Sequence, residues 1–559
     1  MSYPKIWSLA ALLFTCCLAQ ATNYYVSTTG SNTHPGTQNE PFQSIQYALD
    51  NATELETLFI EGGTYNERVV VTTSGSLGQP ITITSYNGVA TIDGTGIELY
   101  GPHDGLFEVR FASHVVLDNI AVQNSAYIGF LIFGNNVSDV TIRNCSTYDT
   151  GASGIYANGQ APVGGYGMRD ILIEDNTIEL AINLSPGGYE ECISLTEGVR
   201  NFIVRRNEVF NGGTGTLMGG PIGIDAKNGV RDGEIYQNLV YDINNSSAGI
   251  YVDAYERSAR NIRVYQNEIF NCEDIGVSIG AEQGGTVDSV FVYNNVVYNN
   301  GADGIKLTGF STDGSPNDIR KVWIYNNTVY GNGFQNTLGG SNPGGAIWIE
   351  GDTDTIVVKN NIFAANNFNN GVYVYSSNRD KVIVGNNLID QPVGRAWSDP
   401  PMEELNGQSA VLSAPLFMDV TNLDFRLSAA SPAINAGDNT LAPAVDFNGM
   451  PRPVGEAVDV GALEFDANVS TNDVDAATDL MVFPNPTTTD QITLRMNSPH
   501  SGTATLTFTT VTGQCLRMDN NVRLEQLDKT IDLTGLPNGY YLLRLRGEGL
   551  AVYKTIIKQ

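Results

Sequence analysis

The feature that most constrains this chain is a repeat between about residues 114 and 390. An aliphatic alternation ends in asparagine. A second short apolar stretch follows, then a turn, and glycine opens another alternation. The copies read VTIRNCSTY, ILIEDNTIE, FIVRRNEVF, EIYQNLVY, IRVYQNEIF, VFVYNNVVY, VWIYNNTVY, IVVKNNIFA and VIVGNNLID. Their marker asparagines are Asn144, Asn176, Asn207, Asn238, Asn267, Asn295, Asn327, Asn361 and Asn387. Gaps of roughly 26 to 34 residues belong to stacked-repeat architectures. Period-2 strands separated by Gly, Asn and Asp cannot bury an apolar face one unit at a time. Stacking equivalent coils ~4.8 Å apart buries a continuous aliphatic column. Asparagine at a fixed turn then bonds to its equivalent one coil away, a structural role. The expected fold is all-β: a right-handed parallel β-helix followed by a small C-terminal β-sandwich.

The 559 residues carry 60 acidic against 30 basic side chains, a formal net charge of -30. Phosphate binding needs clustered Lys and Arg, so nucleic acid and anionic lipid are excluded as electrostatic partners. Acidity suits an extracellular setting and leaves Ca²⁺ ligation open. Residues 1–21 read as a signal peptide, with Lys5 before an apolar run from Ile6 to Leu18 and small Ala19 and Ala21 at the cleavage site. Beyond it stand Cys145, Cys192, Cys272 and Cys515, too scattered for a zinc site. Buried free thiols are expected of them. The mature chain is expected to be a monomer without a transmembrane span.

YYVSTTGSNTHPGTQNEPFQSIQYALDNA, near the start, resembles the first segment of pectate-lyase-like β-helix proteins. The resemblance implies a strand and an amphipathic helix plugging the open end of the stack, with Phe42, Ile45, Ala48 and Leu49 on the covering face. Residues 415–465 resemble the terminal segment of surface-anchored bacterial β-helix proteins and are expected to close the last coil. The domain of 22–465 is followed by a polar linker, 466–479. Residues 480–559 alternate as a small sandwich. Phe483-Pro484-Asn485-Pro486, Leu536-Pro537-Asn538-Gly539-Tyr540-Tyr541 and Lys554-Thr555-Ile556-Ile557-Lys558 resemble the type IX secretion sorting domain. That resemblance implies passage through the periplasm, partnership with the type IX machinery, and release or attachment at the cell surface.

After the opening glycine, strand residues alternate in, out, in, out. Applied to GIYANG, CISLT, GIDAK, GIYVD, GVSIG, GIKLT and AIWIE, this predicts two outward columns. The first is Tyr156, Ser194, Asp225, Tyr251, Ser278, Lys306 and Trp348; the second is Asn158, Thr196, Lys227, Asp253, Gly280, Thr308 and Glu350. Glu282 follows at the turn of the fifth coil. An exposed face with carboxylates, lysines and aromatics suits a sugar chain, with Tyr251, Lys306, Tyr156 and Trp348 as substrate-binding residues. Polysaccharide-acting β-helix enzymes, which this chain resembles, use such a sheet as an extended cleft.

Three functions follow from that face. In a glycoside hydrolase, which leads, Asp225 and Asp253 form the carboxylate pair, roughly 8 Å apart at Cα, with Glu282 able to replace either. Lys227 would hold Asp253 ionised while Asp225, against Tyr251, serves as the acid. In a Ca²⁺-dependent lyase acting on a uronide, Asp225, Asp253 and Glu282 ligate Ca²⁺ and Lys227 or Lys306 is the base. A lysine flanked by carboxylates has a raised pKa and is a poor base. The third is a non-catalytic glycan-binding adhesin, in which Lys227 and Asp253 form only a lateral surface ion pair. The histidines His34, His103, His114 and His500 all lie outside the cluster, which argues against a serine triad.

Overall fold

The computed structural model describes residues 22–465 and 480–558, except 102, 163, 164, 166, 184–190, 215–219, 246, 313, 315, 316, 335–343, 368, 369, 392–395, 399, 400, 486, 488, 497–501, 511–514, 526, 537, 538, 548 and 549. The proposed signal peptide and linker, and Pro486, Pro537, Asn538 and His500, therefore lie outside the described residues.

Each repeat forms one coil of a parallel β-helix. In one such coil, Arg231–Tyr236 and Leu239–Tyr241 lie in a 24-stranded sheet, and Ala248–Tyr255 lies in a 13-stranded one. Every strand pairs in parallel with its equivalents one coil away: Arg231–Tyr236 sits between Arg200–Arg205 and Ala259–Tyr265. Inward side chains alternate with outward ones, so Ile235, Val240, Ile250 and Val252 join one aliphatic core running through the stack. Burying each such side chain stabilises the coil by about 1.5–3 kcal/mol.

Asparagine ladders fix the bends. The Asn176 amide donates to Asn207 Oδ1 at 2.9 Å, and the same bond repeats through Asn238, Asn267, Asn295, Asn327 and Asn361 to Asn387. Each amide also reaches a backbone carbonyl, as Asn267 Nδ2 does to Ile235 O. The residue before each ladder position takes a left-handed conformation, from Asp175 at φ 57° to Asn386 at φ 53°, which turns the following side chain inward. Asn144 does not belong to the ladder. It is itself the left-handed residue, its amide donates to Asp118, and Cys145 takes the ladder position with its N–H on Asn176 Oδ1. A second ladder, Asn300–Asn332–Asn366, runs at the next bend.

At the N-terminus, Thr22–Val26 starts the sheet and the helix Ile45–Asn51 covers the first coil. Ser44 caps it, and Glu67 accepts from the Ile45 and Gln46 N–H groups, as a carboxylate at a helix start should. Phe42, Ile45 and Ala48 are buried in the core, and Leu49 packs against it. At the other end, Pro401–Leu405 pairs antiparallel with Val372–Tyr375, and Ala396–Ser398 pairs antiparallel with Pro401–Leu405 as the last strand of the second sheet.

The segment expected to close the last coil lies elsewhere. Residues 417–465 run back along the flank, where Phe425 packs on Tyr298 and Tyr330. Left-handed residues Gln266, Asn294, Asn326 and Asn360 hold the segment by donating to the carbonyls of Asp446, Val445, Asp459 and Asp438. A buried Arg452–Glu464 pair at 3.2 Å ties it internally.

Residues 480–558 form two antiparallel sheets, of three and four strands, around a core that includes Leu494, Phe508, Leu543 and Ile556. Cys145, Cys192 and Cys272 are buried free thiols; the Cys515 side chain lies outside the described atoms. Among the described residues no helix is long and apolar enough to cross a membrane.

Candidate functional site

The second sheet aligns the expected columns. In the first, Tyr156 pairs with Ser194, Ser194 with Asp225, Asp225 with Tyr251, Tyr251 with Ser278, Ser278 with Lys306 and Lys306 with Trp348. In the second, Lys227 faces Asp253, which faces Gly280. Asp225 and Asp253 are therefore diagonal neighbours on adjacent strands. Their sequence neighbours Ile224, Ala226, Val252 and Ala254 point into the core.

The face is not the open surface expected of it. Asp225 is 0% exposed, Asp253 7%, Tyr251 7%, Tyr156 2% and Trp348 0%. Tyr156 packs with Ile128 and Leu131, and Trp348 stacks on Tyr373. The broad aromatic platform expected from Tyr156, Tyr251 and Trp348 is therefore absent, because aliphatic and aromatic neighbours already cover those rings.

The charges also pair differently. Lys227 bonds to Glu191 and lies 3.7 Å from Asp225 Oδ2. The lateral Lys227–Asp253 pair is not made. Glu191 was absent from the expected columns because it precedes the opening glycine position; its register partner Ile222 nevertheless clusters outward with Ala248 and Tyr251. Strict alternation back from Ser194 turns Glu191 inward and Cys192 outward, whereas Cys192 joins the core beside Ile193, so the pattern breaks at this row and does not find Glu191.

Burial pushes both Asp225 and Asp253 well above the usual carboxylate range. For Asp225 the nearby Lys227 opposes that rise, while Glu191, Asp253 and Glu282 reinforce it. For Asp253, Glu282 adds to burial and outweighs Lys227. Lys227 thus does not hold Asp253 ionised. The Lys227 ammonium is itself held above its ordinary value by Glu191 and Asp225, against the effect of burial. Both Asp225 carboxyl oxygens and Asp253 Oδ1 are buried, and among the described residues they have no hydrogen-bond partner. Such groups cost stability unless a ligand or proton satisfies them.

Tyr251 crosses the face to donate to Glu282 Oε1 at 2.5 Å. Its ring lies over Gly280, where an added Cβ would strike the hydroxyl. Further along, Lys306 pairs with Glu350 at 3.0 Å, and Glu350 also accepts from Thr308 and Trp348. Those contacts hold the Glu350 carboxyl below its ordinary value despite burial, and the Lys306 ammonium above its own.

Among the described residues no three His, Cys, Asp or Glu side chains converge as cation ligands. The Ca²⁺ set expected of Asp225, Asp253 and Glu282 is not assembled. The Lys227 ammonium already stands beside Asp225, and Glu282 is engaged by Tyr251.

Residues 24–178 match the family described as Pel9A-like, right handed beta helix region; 287–398 match the disaggregatase-related family; 481–559 match the secretion system C-terminal sorting domain. The uncharacterized protein YwoF of Bacillus subtilis (strain 168) is 28% identical over 454 residues, 73% of this chain and 91% of YwoF. Pectate lyase PEL9 of Emericella nidulans is 31% identical over 165 residues, 27% of this chain and 39% of that enzyme. Among solved structures, that of pectate lyase Pel9A covers 79% of this chain and 96% of its own at 18% identity, with a TM-score of 0.45. The Pel9A-like match ends before Asp225. The sorting domain marks the chain for export to the cell surface or beyond. The chain is a right-handed parallel β-helix protein, Pel9A-like in its N-terminal region, that carries a C-terminal type IX secretion sorting domain.

Proposed function

We propose that this protein cleaves an extracellular polysaccharide, using Asp225 and Asp253 as an acid–base carboxyl pair. The observation that carries this reading is the buried diagonal itself: two carboxyls on adjacent coils, both raised in pKa, with unpartnered oxygens on the outward face. Two such groups do not both ionise at once. Lys227, 3.7 Å from Asp225, favours the charge there, while Asp253 lies nearer the opposing influence of Glu282. Asp253 is then the acid that protonates the leaving oxygen, and Asp225 is the carboxylate that activates water or attacks. This reverses the assignment made from sequence. Tyr251 and Glu282 position the pair from one side and Glu191, through Lys227, from the other. Diagonal neighbours on a sheet are within the separations that glycoside hydrolases use.

The similarity to PEL9 favours a second reading, elimination at a uronide with Lys227 or Lys306 as base. Both ammonium groups are held protonated by carboxylate partners, so hydrolysis leads. A panel of polygalacturonate, alginate and xylan, with and without chelator, separates the readings. New reducing ends without absorbance near about 235 nm support hydrolysis; that absorbance supports elimination. No cleavage of any of the three contradicts both and leaves the chain a glycan-binding surface protein.

A further inference from the structure

The outward alternation of the second sheet continues one row past the two columns. Tyr255, Glu282 and Phe310 are register partners on three consecutive strands. Glu282 therefore sits between two aromatic side chains and, through the Tyr251 hydroxyl, joins the buried site. The two rings differ from the other aromatics of this face. Tyr255 is 38% exposed and Phe310 54%, whereas Tyr156, Tyr251 and Trp348 are buried. Neither belongs to the core or to the outward clusters that cover their neighbours.

A single exposed aromatic residue needs no explanation. Two that flank a carboxylate in one row do. Each gives up solvent-averse ring surface to water, and among the described residues neither joins a hydrophobic cluster along the stack. An alternating ring, carboxylate and ring is the chemistry that takes a sugar chain: C–H faces of pyranose rings lie on the aromatics, and hydroxyls reach the carboxylate between. Among the described residues only Glu282 Oε1 is engaged, by Tyr251, which leaves Oε2 for such a hydroxyl. Consecutive strands are ~4.8 Å apart, so the two rings are anchored about 9.6 Å apart along the axis. That is the scale of a short stretch of polysaccharide, not of one monosaccharide.

We infer that Tyr255 and Phe310 are paired sugar-stacking subsites that hold a polysaccharide chain along the helix axis, over Glu282 and beside Asp253. This rests on the polysaccharide reading above and adds the surface on which the chain lies. It also sets a length requirement, because an oligosaccharide too short to span both rings loses one of them.

The test is retardation of the full chain in native gels containing polygalacturonate, alginate or xylan. It is run on the parent protein and on Tyr255→Ala, Phe310→Ala, the double variant and Phe310→Trp. The unfolding midpoint of each is measured alongside; it should hold, since both rings are exposed. The expected result is that a polysaccharide which retards the parent binds each alanine variant at least about fivefold more weakly, a loss in the range of one aromatic contact. The double variant should lose more, and Phe310→Trp should retain binding with an indole emission shift on that polysaccharide. Retardation unchanged in the double variant overturns the subsites and leaves the polysaccharide reading intact. Retardation of the parent by none of the three overturns both. Binding that weakens as expected in a protein that cleaves nothing upholds the subsites and removes the catalytic reading.

Discussion

The Tyr251 hydroxyl donates to Glu282 Oε1 at 2.5 Å, crossing one strand over Gly280 to do so. The glycine is what allows the crossing, since any side chain at that position would occupy the space of the tyrosine ring. Gly280→Ala should therefore displace Tyr251 at a stability cost of about 1–3 kcal/mol, the usual penalty of overpacking. It should also lower turnover at least about tenfold, because Tyr251 and Glu282 steady Asp253. Urea unfolding and initial rates on the same preparation check both. Unchanged turnover would detach the Tyr251–Glu282 bond from the site.

Lys227 is the sole cation in contact with Glu191 and Asp225 among the described residues, and both carboxyls are buried. Lys227→Met leaves them uncompensated and should destabilise the helix by about 3–5 kcal/mol. Adding Glu191→Gln should recover part of that loss. A double-mutant cycle measured by chemical unfolding reads the coupling. Additive losses would show that the two side chains act independently.

The Asn267 side chain makes four bonds in the inner ladder: it accepts from the backbone and side chain of Asn238 and donates to Ile235 O and Asn295 Oδ1. Asn267→Ala orphans buried partners on both adjoining coils, so a loss of about 2–5 kcal/mol is expected. The same substitution at Asn144, outside the ladder, should cost less, about 1–2 kcal/mol, for the left-handed backbone and the bond to Asp118. Thermal unfolding of the two variants side by side tests the ladder assignment.

Burial pushes the Asp274 carboxyl up to about 6, against the pull of Lys306. An unfolded aspartate titrates near about 4. Between those values the folded chain keeps a proton that the unfolded chain has released. The associated stability is present below about pH 4 and is lost as pH rises through about 6. Asp274→Asn should remove that loss and gain about 1–3 kcal/mol at pH ~7 relative to pH ~4. Unfolding free energies of parent and variant across that range check the sign.

Much of this architecture could be read from residues alone, because a period-2 alternation leaves few choices. Once Ile224 and Ala226 point inward, Asp225 and Lys227 must point outward, and the register of both columns follows. Asn144 was misplaced by one residue because an Asn-Cys pair hides which of the two turns inward. In most other copies a polar residue precedes the ladder asparagine, as Asp175 precedes Asn176. Alternation says nothing about how deeply an outward side chain is covered. Trp348 and Tyr156 were therefore expected in the open, although Tyr373 and Leu131 cover them. Nor does it choose among ion-pair partners. Asp253 is the register neighbour of Lys227, yet the ammonium reaches Glu191, which lies two strands from Asp253 in the direction of the N-terminus.

The most direct test of the carboxyl pair is the initial rate on whichever of polygalacturonate, alginate or xylan the parent protein cleaves. It compares parent, Asp225→Asn and Asp253→Asn, each shown to be folded by its unfolding midpoint. Both variants should lose at least about a hundredfold in rate, the scale of removing an acid or base, while the polysaccharide still retards them in native gels. Turnover within about twofold of the parent in either variant would contradict the account.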